Sequence, residues 1–134
     1  MSRPRGADGG DKLYGGDGND ALYGDKGNDI LYGGNGNDTL SGSAGNDKLY
    51  GQQGQDTFIF KAGGGSDTIN GWQNDADTLK LDDAMWGGGL TISQVISTFA
   101  QVVGGNIVFD FGTTKVTLAG FTSLNSLSDD IILI

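Results

Sequence analysis

Between residues 6 and 59 an apolar side chain returns at every ninth position, as Leu13, Leu22, Leu31, Leu40, Leu49 and Phe58. What separates these positions is polar and dominated by glycine, asparagine and aspartate. In register, six uninterrupted nonapeptides read GADGGDKLY, GGDGNDALY, GDKGNDILY, GGNGNDTLS, GSAGNDKLY and GQQGQDTFI, each with Gly at the fourth place, Asp at the sixth and an apolar residue at the eighth. A fixed internal period of this kind marks a stack of like coils. Gly, Asn and Asp tolerate positive φ and make tight turns, so the first six places predict a turn and the last three a very short strand. Strand alternation sends the eighth residue inward and its neighbours outward. The six apolar residues then form an inward column, and Tyr14, Tyr23, Tyr32 and Tyr50 an outward aromatic one. Two repeats complete one coil, giving two parallel sheets of three-residue strands joined by two stacks of turns.

Beyond residue 70 the period disappears. Residues 78–81 alternate like a strand. Ser93 is the candidate cap of a short helix with Val95, Ile96, Phe99 and Val103 on one face. Residues 106–111 and 114–118 read as a β-hairpin turning at Gly112-Thr113. A solenoid leaves an open apolar end that terminal units must cover, so this flank is expected to cap the roll, with Trp72, Trp86 and Phe121 as pieces of the cap. Sugar binding by the two tryptophans is the alternative. The tail, Asp129-Asp130 followed by Ile131-Ile132-Leu133-Ile134, ends in a candidate strand. The expected organisation is a disordered or engineered leader at 1–5, a repeat block at 6–70 and a capping flank at 71–134.

Composition narrows the chemistry. The 134 residues hold 17 acids, every one of them Asp, against 8 bases, for a net charge of −9. Such acidity argues against nucleic acid or an anionic membrane as partner, and no stretch has the length of a transmembrane helix. There is no histidine and no cysteine, which removes disulfides, the commonest transition-metal ligand and the commonest general base. No nucleophile elbow and no phosphate loop followed by lysine occurs. Asp82-Asp83 and Asp129-Asp130 read as solvated pairs rather than catalytic ones. Catalysis is therefore not expected of this chain.

The stack that buries leucine upon leucine also piles Asp upon Asp, and like charges in register repel. Without a cation the block should be a disordered polyanion. Calcium suits the available donors, because it takes 6–8 oxygen ligands in adaptable geometry, whereas magnesium demands a near-octahedral site and sheds water reluctantly. Turns two repeats apart contribute one carboxylate each, pairing Asp11 with Asp29, Asp29 with Asp47, Asp20 with Asp38, and Asp38 with Asp56. Backbone carbonyls of the glycine-rich turns supply the remaining oxygens.

The six repeats resemble the glycine- and aspartate-rich nonapeptide of repeats-in-toxin (RTX) proteins, G-G-x-G-x-D-x-apolar-x. The likeness continues imperfectly through residues 62–70, after a two-residue insertion at Phe60-Lys61, and faintly through 72–80, which keeps Asp77 and Leu79. The resemblance implies an all-β, right-handed parallel β-roll loaded with calcium, about four to six ions, and closed by a C-terminal β-rich cap. It implies metal ligation by Asp11, Asp20, Asp29, Asp38, Asp47, Asp56, Asp67 and Asp77. The carbonyls of the second and fourth places join them: Gly16 and Gly18, Asp25 and Gly27, Gly34 and Gly36, Ser43 and Gly45. The insertion raises the expectation that Asp67 falls out of register with Asp47. The family further implies a secreted, extracellular bacterial protein, a monomer, exported by type I secretion machinery that reads a C-terminal signal like the tail here. Folding on calcium after export is the implied function. Binding of an acidic, alginate-like polysaccharide, resting on the tyrosine column with Lys12, Lys26 and Lys48, is the alternative, as is a segment of a large bacterial adhesin.

Overall fold

The computed structural model describes residues 2–73 and 76–134. The chain winds as a parallel β-solenoid of about four turns, each coil placing one strand in each of two sheets. Strands β1 (Lys12–Asp17), β3 (Ile30–Asn35), β5 (Lys48–Gln53) and β7 (Ser66–Asn70) run side by side in one sheet. Strands β2 (Ala21–Tyr23), β4 (Thr39–Ser41), β6 (Thr57–Phe60) and β8 (Thr78–Leu81) form the other. Register follows the two-repeat coil, with Leu13 beside Leu31 and Leu31 beside Leu49 in the first sheet, and Leu22 beside Leu40 in the second. Three-residue strands hold in the second sheet for β2 and β4. In the first, β1, β3 and β5 continue to six residues, because the opening places of the next repeat stay extended beside their equivalents (Gly16 with Gly34, Asp17 with Asn35).

The inward column is a continuous core. Leu22, Leu31, Leu40 and Leu49 are fully buried and Phe58 nearly so, and Ile69 and Leu79 extend the same line. Leu13, on the end coil, is only partly buried. The tyrosines do not share one column, since successive repeats feed opposite sheets. Tyr14, Tyr32 and Tyr50 stack on the first sheet with ring centroids 5.0 and 4.8 Å apart, while Tyr23 lies on the second beneath the Arg5 guanidinium.

The flank continues both sheets. Strand β11 (Lys115–Leu118) pairs in parallel with β7, then β10 (Asn106–Asp110) and β9 (Ala100–Val103) follow antiparallel. In the second sheet β12 (Ile131–Leu133) pairs in parallel with β8. Helix α1 (Ile92–Phe99) is capped by Thr91 in a capping box with Gln94, not by Ser93. Thr91 lies one residue before the first helical position, where its hydroxyl reaches the third helical N–H. Val103 is not on the helix but on β9, half exposed. The signal for β9 is Gly104-Gly105, whose positive φ values make the tight turn into β10. Trp72 is buried against Phe58, and the partly buried Trp86 packs among Phe99 and Phe111, so both serve the core.

Residues 2–5, expected as a disordered leader, instead lie along β2: Ala21 and Tyr23 donate to the carbonyls of Ser2 and Pro4. They occupy the last four places of a repeat preceding the first. No helix among the described residues is long and apolar enough to cross a membrane.

Leu40→Ala, at the centre of the column, should destabilise the folded protein by about 2–5 kcal/mol in equilibrium denaturation. Leu13→Ala, on the half-open coil, should cost clearly less. Equal losses at the two positions would show that the end coil is packed as tightly as the middle.

A candidate metal centre in the turn stacks

Each turn stack carries one row of carboxylates, Asp11, Asp29, Asp47 and Asp67 on one side and Asp20, Asp38, Asp56 and Asp77 on the other. Within a row the backbone N–H of each Asp donates to Oδ1 of the Asp one coil on. The distances are 2.8 Å for Asp11 to Asp29, Asp29 to Asp47 and Asp20 to Asp38, and 2.9 Å for Asp38 to Asp56. These are the four carboxylate pairs that the repeat spacing predicts. The ladder does not stop at the insertion. Asp47 donates to Asp67 at 2.9 Å across 20 residues, and Asp56 to Asp77 at 3.0 Å across 21, where regular coils take 18. Asp67 therefore stays in register with Asp47, the extra residues being absorbed in the turn at 60–64. That bulge borders a cavity of about 210 Å³ lined in part by Ser43, Lys61, Gly63 and Asp67.

Every member from Asp20 to Asp77 is buried, at 1–3% exposure. One oxygen of each is held by the backbone. The other is not: Oδ2 of Asp20, Asp29, Asp38, Asp47 and Asp56 is buried with no hydrogen-bond partner. A buried polar atom left unpaired costs on the order of 1–3 kcal/mol, more for a charge, and here the cost recurs in five successive repeats.

Glycines shape the space around these oxygens. A Cβ on Gly24 would meet Asp29 Oδ2 at 2.5 Å and the Gly42 carbonyl at 2.6 Å; on Gly33 it would meet Asp38 Oδ2 at 2.6 Å and the Gly51 carbonyl at 2.8 Å. On Gly15 it would meet Asp20 Oδ2 and the Gly33 carbonyl. The first-place glycines Gly6, Gly15, Gly24 and Gly33 thus leave a cradle bordered by the carboxylate of their own repeat and by the first-place carbonyl of the next coil, and Gly42 and Gly51 lie equally close to the carboxylates of Asp47 and Asp56. Those first-place carbonyls were not anticipated. Their signal in the sequence is the glycine that opens every one of the six repeats. Of the expected carbonyls, those of Gly16, Gly18, Gly27, Gly36 and Gly45 also face the equivalent residue one coil on, and that of Ser43 lies against Gly64. The Asp25 carbonyl already accepts from Ala44 N–H, and its carboxylate pairs with Arg5 at 2.8 Å.

The turn is held in an unusual backbone shape. The fourth place is left-handed throughout the block, from Gly9 to Gly54, and the second place is left-handed in repeats two to six even where it is not glycine, at Asp25, Ser43 and Gln52 (φ 69–70°). A non-glycine residue there costs roughly 1–3 kcal/mol. Two such residues in one stack, Asp25 and Ser43, and one in the other, Gln52, show that the turn geometry outweighs local preference.

Burial raises the carboxyl groups of Asp29, Asp38, Asp47 and Asp77 above their ordinary range, and pushes Asp56 up to about 7 and Asp67 up to about 8. Asp20 goes the other way, because the Ser2 hydroxyl and N–H both donate to it, at 2.7 and 2.6 Å. Asp130, expected to be solvated, is buried at 6% exposure and close enough to raise Asp77 further. Among the described residues no three carboxylates converge on one point. The donors are single carboxylates combined with main-chain carbonyls, all hard oxygens. That set fits calcium, whose flexible sphere accepts many neutral oxygens, better than a metal requiring imidazole or thiolate.

Residues 5–40 and 32–63 match the family model of the RTX calcium-binding nonapeptide repeat. The repeat block is an RTX array. RTX repeats bind calcium, and they are structural modules rather than catalytic ones. No curated protein matches the chain significantly. Among solved structures, the extracellular lipase LipA of Serratia marcescens matches with TM-score 0.78 and 28% identity over 98% of this chain, which spans only 21% of the lipase. The AlgE6R2 and AlgE6R3 subunits of the Azotobacter vinelandii mannuronan C5-epimerase match with TM-scores 0.70 and 0.65, at 28% and 27% identity. They cover 96% and 95% of this chain, and 91% and 80% of those subunits. The likeness to these RTX β-rolls therefore includes the flank.

The raised carboxyl groups fix the sign of a pH effect. Protonation begins near the ordinary value of 3.8 in the unfolded chain but near 7 and 8 at Asp56 and Asp67 in the folded one. Between those limits the folded chain holds more protons, so without metal its stability is full in acid and falls as pH rises from about 4 to about 8. In chelator, far-UV circular dichroism should show more β structure at pH 4.5 than at pH 8. Equal order at the two values would mean that burial imposes no charge penalty on the stack.

Proposed function

We propose that this chain is a calcium-folded module of a larger secreted protein, disordered where calcium is scarce and wound into its β-roll where calcium is plentiful. The observation that carries the reading is the run of five buried Oδ2 atoms without partners, each beside a glycine cradle. The carboxylates of the two rows and the carbonyls of the first, second and fourth turn places are the proposed ligands, for about four to six ions. Calcium supplies the positive charge that lets stacked carboxylates remain ionised and dry.

Extracellular calcium modules have Kd around 10⁻⁴–10⁻³ M, so a chain of this kind would stay unfolded in a calcium-poor cytosol and fold on export. The absence of cysteine suits passage through a narrow type I conduit, and the likeness to an extracellular lipase is consistent with an extracellular address. Folding is then linked to calcium by mass action. Far-UV circular dichroism should pass from coil in chelator to β structure in millimolar calcium at pH 7.5, with magnesium a poor substitute. Asp38→Asn should raise the calcium midpoint by about tenfold, since site charge sets affinity. A β spectrum at pH 7.5 that is indifferent to calcium would reject the proposal.

A second reading is favoured by one surface. Tyr14, Tyr32 and Tyr50 form a stacked row on the first sheet, and the parallel row two residues earlier holds Lys12 and Lys48. Lys26 lies apart, in a turn beside Ala44. Rings with cationic neighbours suit an acidic polysaccharide, and two matching structures come from an enzyme acting on mannuronan. Calorimetry of the calcium-loaded protein with oligomannuronate should give heat that Tyr32→Ala abolishes. No heat at millimolar ligand leaves the structural role alone.

A further inference from the structure

The two rows of carboxylates do not end as they run. In repeats two to six the second place is left-handed (Gly16, Asp25, Gly34, Ser43, Gln52), and in those same repeats Oδ2 of Asp20, Asp29, Asp38, Asp47 and Asp56 has no partner. In the first repeat the second place is Ala7, outside the left-handed region, and its N–H donates to Asp11 Oδ2 at 2.9 Å. In the eighth it is Gln73, likewise outside that region, and its N–H donates to Asp77 Oδ2 at 2.9 Å. Repeat seven keeps the open form. Gly63 is left-handed, its N–H goes to Thr114 Oγ1 at 3.1 Å, and Asp67 faces the cavity of the inserted turn.

The cause is local. Reversing the hand of one residue rotates the peptide plane before it, so that its N–H swings toward or away from the carboxylate four residues on. A left-handed second place strips Oδ2 of its only nearby backbone donor. A right-handed or extended one supplies that donor and closes the site from within.

Resting on the calcium reading above, we propose that the hand of the second place selects the calcium ligands of this chain. Asp20, Asp29, Asp38, Asp47, Asp56 and Asp67 are open to metal, whereas Asp11 and Asp77 are closed by their own turns and terminate the two rows without binding an ion. The repeat of Asp77 opens with Trp72 in place of the first glycine, and the buried Asp130 lies close to its carboxylate where a regular turn would follow. Asp11 otherwise has a complete cradle, since a Cβ on Gly6 would meet both its Oδ2 and the Gly24 carbonyl. Unlike Asp20 it is only partly buried, and its second place, Ala7, lies outside the left-handed region with its N–H on Oδ2. Glycine at position 7 would enter the left-handed region freely and free Oδ2.

Bound calcium is counted by equilibrium dialysis with atomic emission at saturating calcium and pH 7.5, with folding verified by circular dichroism. Asp11→Asn should bind as many ions as the wild type, Asp38→Asn at least one fewer, and Ala7→Gly one more. Adding Asp11→Asn to Ala7→Gly should return the count to the wild-type value. Loss of an ion in Asp11→Asn alone, or no gain in Ala7→Gly, overturns the inference while leaving the calcium module intact. A wild-type protein that binds no calcium overturns both. As a second measurement, the Ala7 amide should remain slow to exchange in the calcium-loaded wild type; fast exchange would show that metal has displaced it from Asp11 and would also overturn the inference.

Discussion

Burying carboxylates in register is the constraint on which the rest of this structure depends. Each Asp of the two rows from Asp20 to Asp77 has one oxygen fixed by an N–H of the preceding coil, at 2.6–3.0 Å. That hydrogen bond prevents the charge from swinging out to solvent. The opposite oxygen is then committed to a dry cradle, where only a proton, a backbone donor or a cation can satisfy it. A backbone donor meets this oxygen at Asp11 and Asp77, and none meets it from Asp20 to Asp56.

This arrangement explains why the turns tolerate unfavourable backbone. Left-handed Asp25, Ser43 and Gln52 oppose their own preferences, and each has an equivalent residue of the same hand one coil away: Ser43 for Asp25, Asp25 and Gly63 for Ser43, and Gly34 for Gln52. Coil-on-coil registry enforces the shape. Apolar burial acts at the same spacing: Leu31 is aligned with Leu13 and Leu49 by the strand ladder that also aligns Asp29 with Asp11 and Asp47. Core and charge stack are thus one repeat seen from two sides, and neither can slip without the other.

The two ends of the roll are unlike. At the first coil, residues 2–5 continue the ladder with Ser2 in the place of an Asp, Arg5 covers Tyr23, and Tyr14 is left 66% exposed. At the other end the sheets pass into β11, β10 and β9 and into β12. There Val95, Phe109 and Leu127 are fully buried, and the Trp86–Phe99–Phe111 cluster packs beside them. The flank closes the apolar interior by adding strands to the edges the repeats leave open, which moves the sheet edges out to β9 and β12.

The nonapeptide by itself determined the coil, the inward leucines and the four carboxylate pairs, because period and residue type suffice when every unit meets a copy of itself. It did not determine what happens where the copies differ. Asp67 and Asp77 kept register across longer coils because the strands on either side pair through Ile69 and Leu79, a long-range restraint invisible in a local alignment. Ser2 joined the ladder because it lies 18 residues before Asp20, although it is no aspartate. Tyr23 left the aromatic column because consecutive repeats face opposite sheets. The state of each carboxylate oxygen, open in the middle and closed at Asp11 and Asp77, was decided only by the folded backbone, since left-handed second places occur at Asp25, Ser43 and Gln52 as well as at glycines and residue type does not announce the hand.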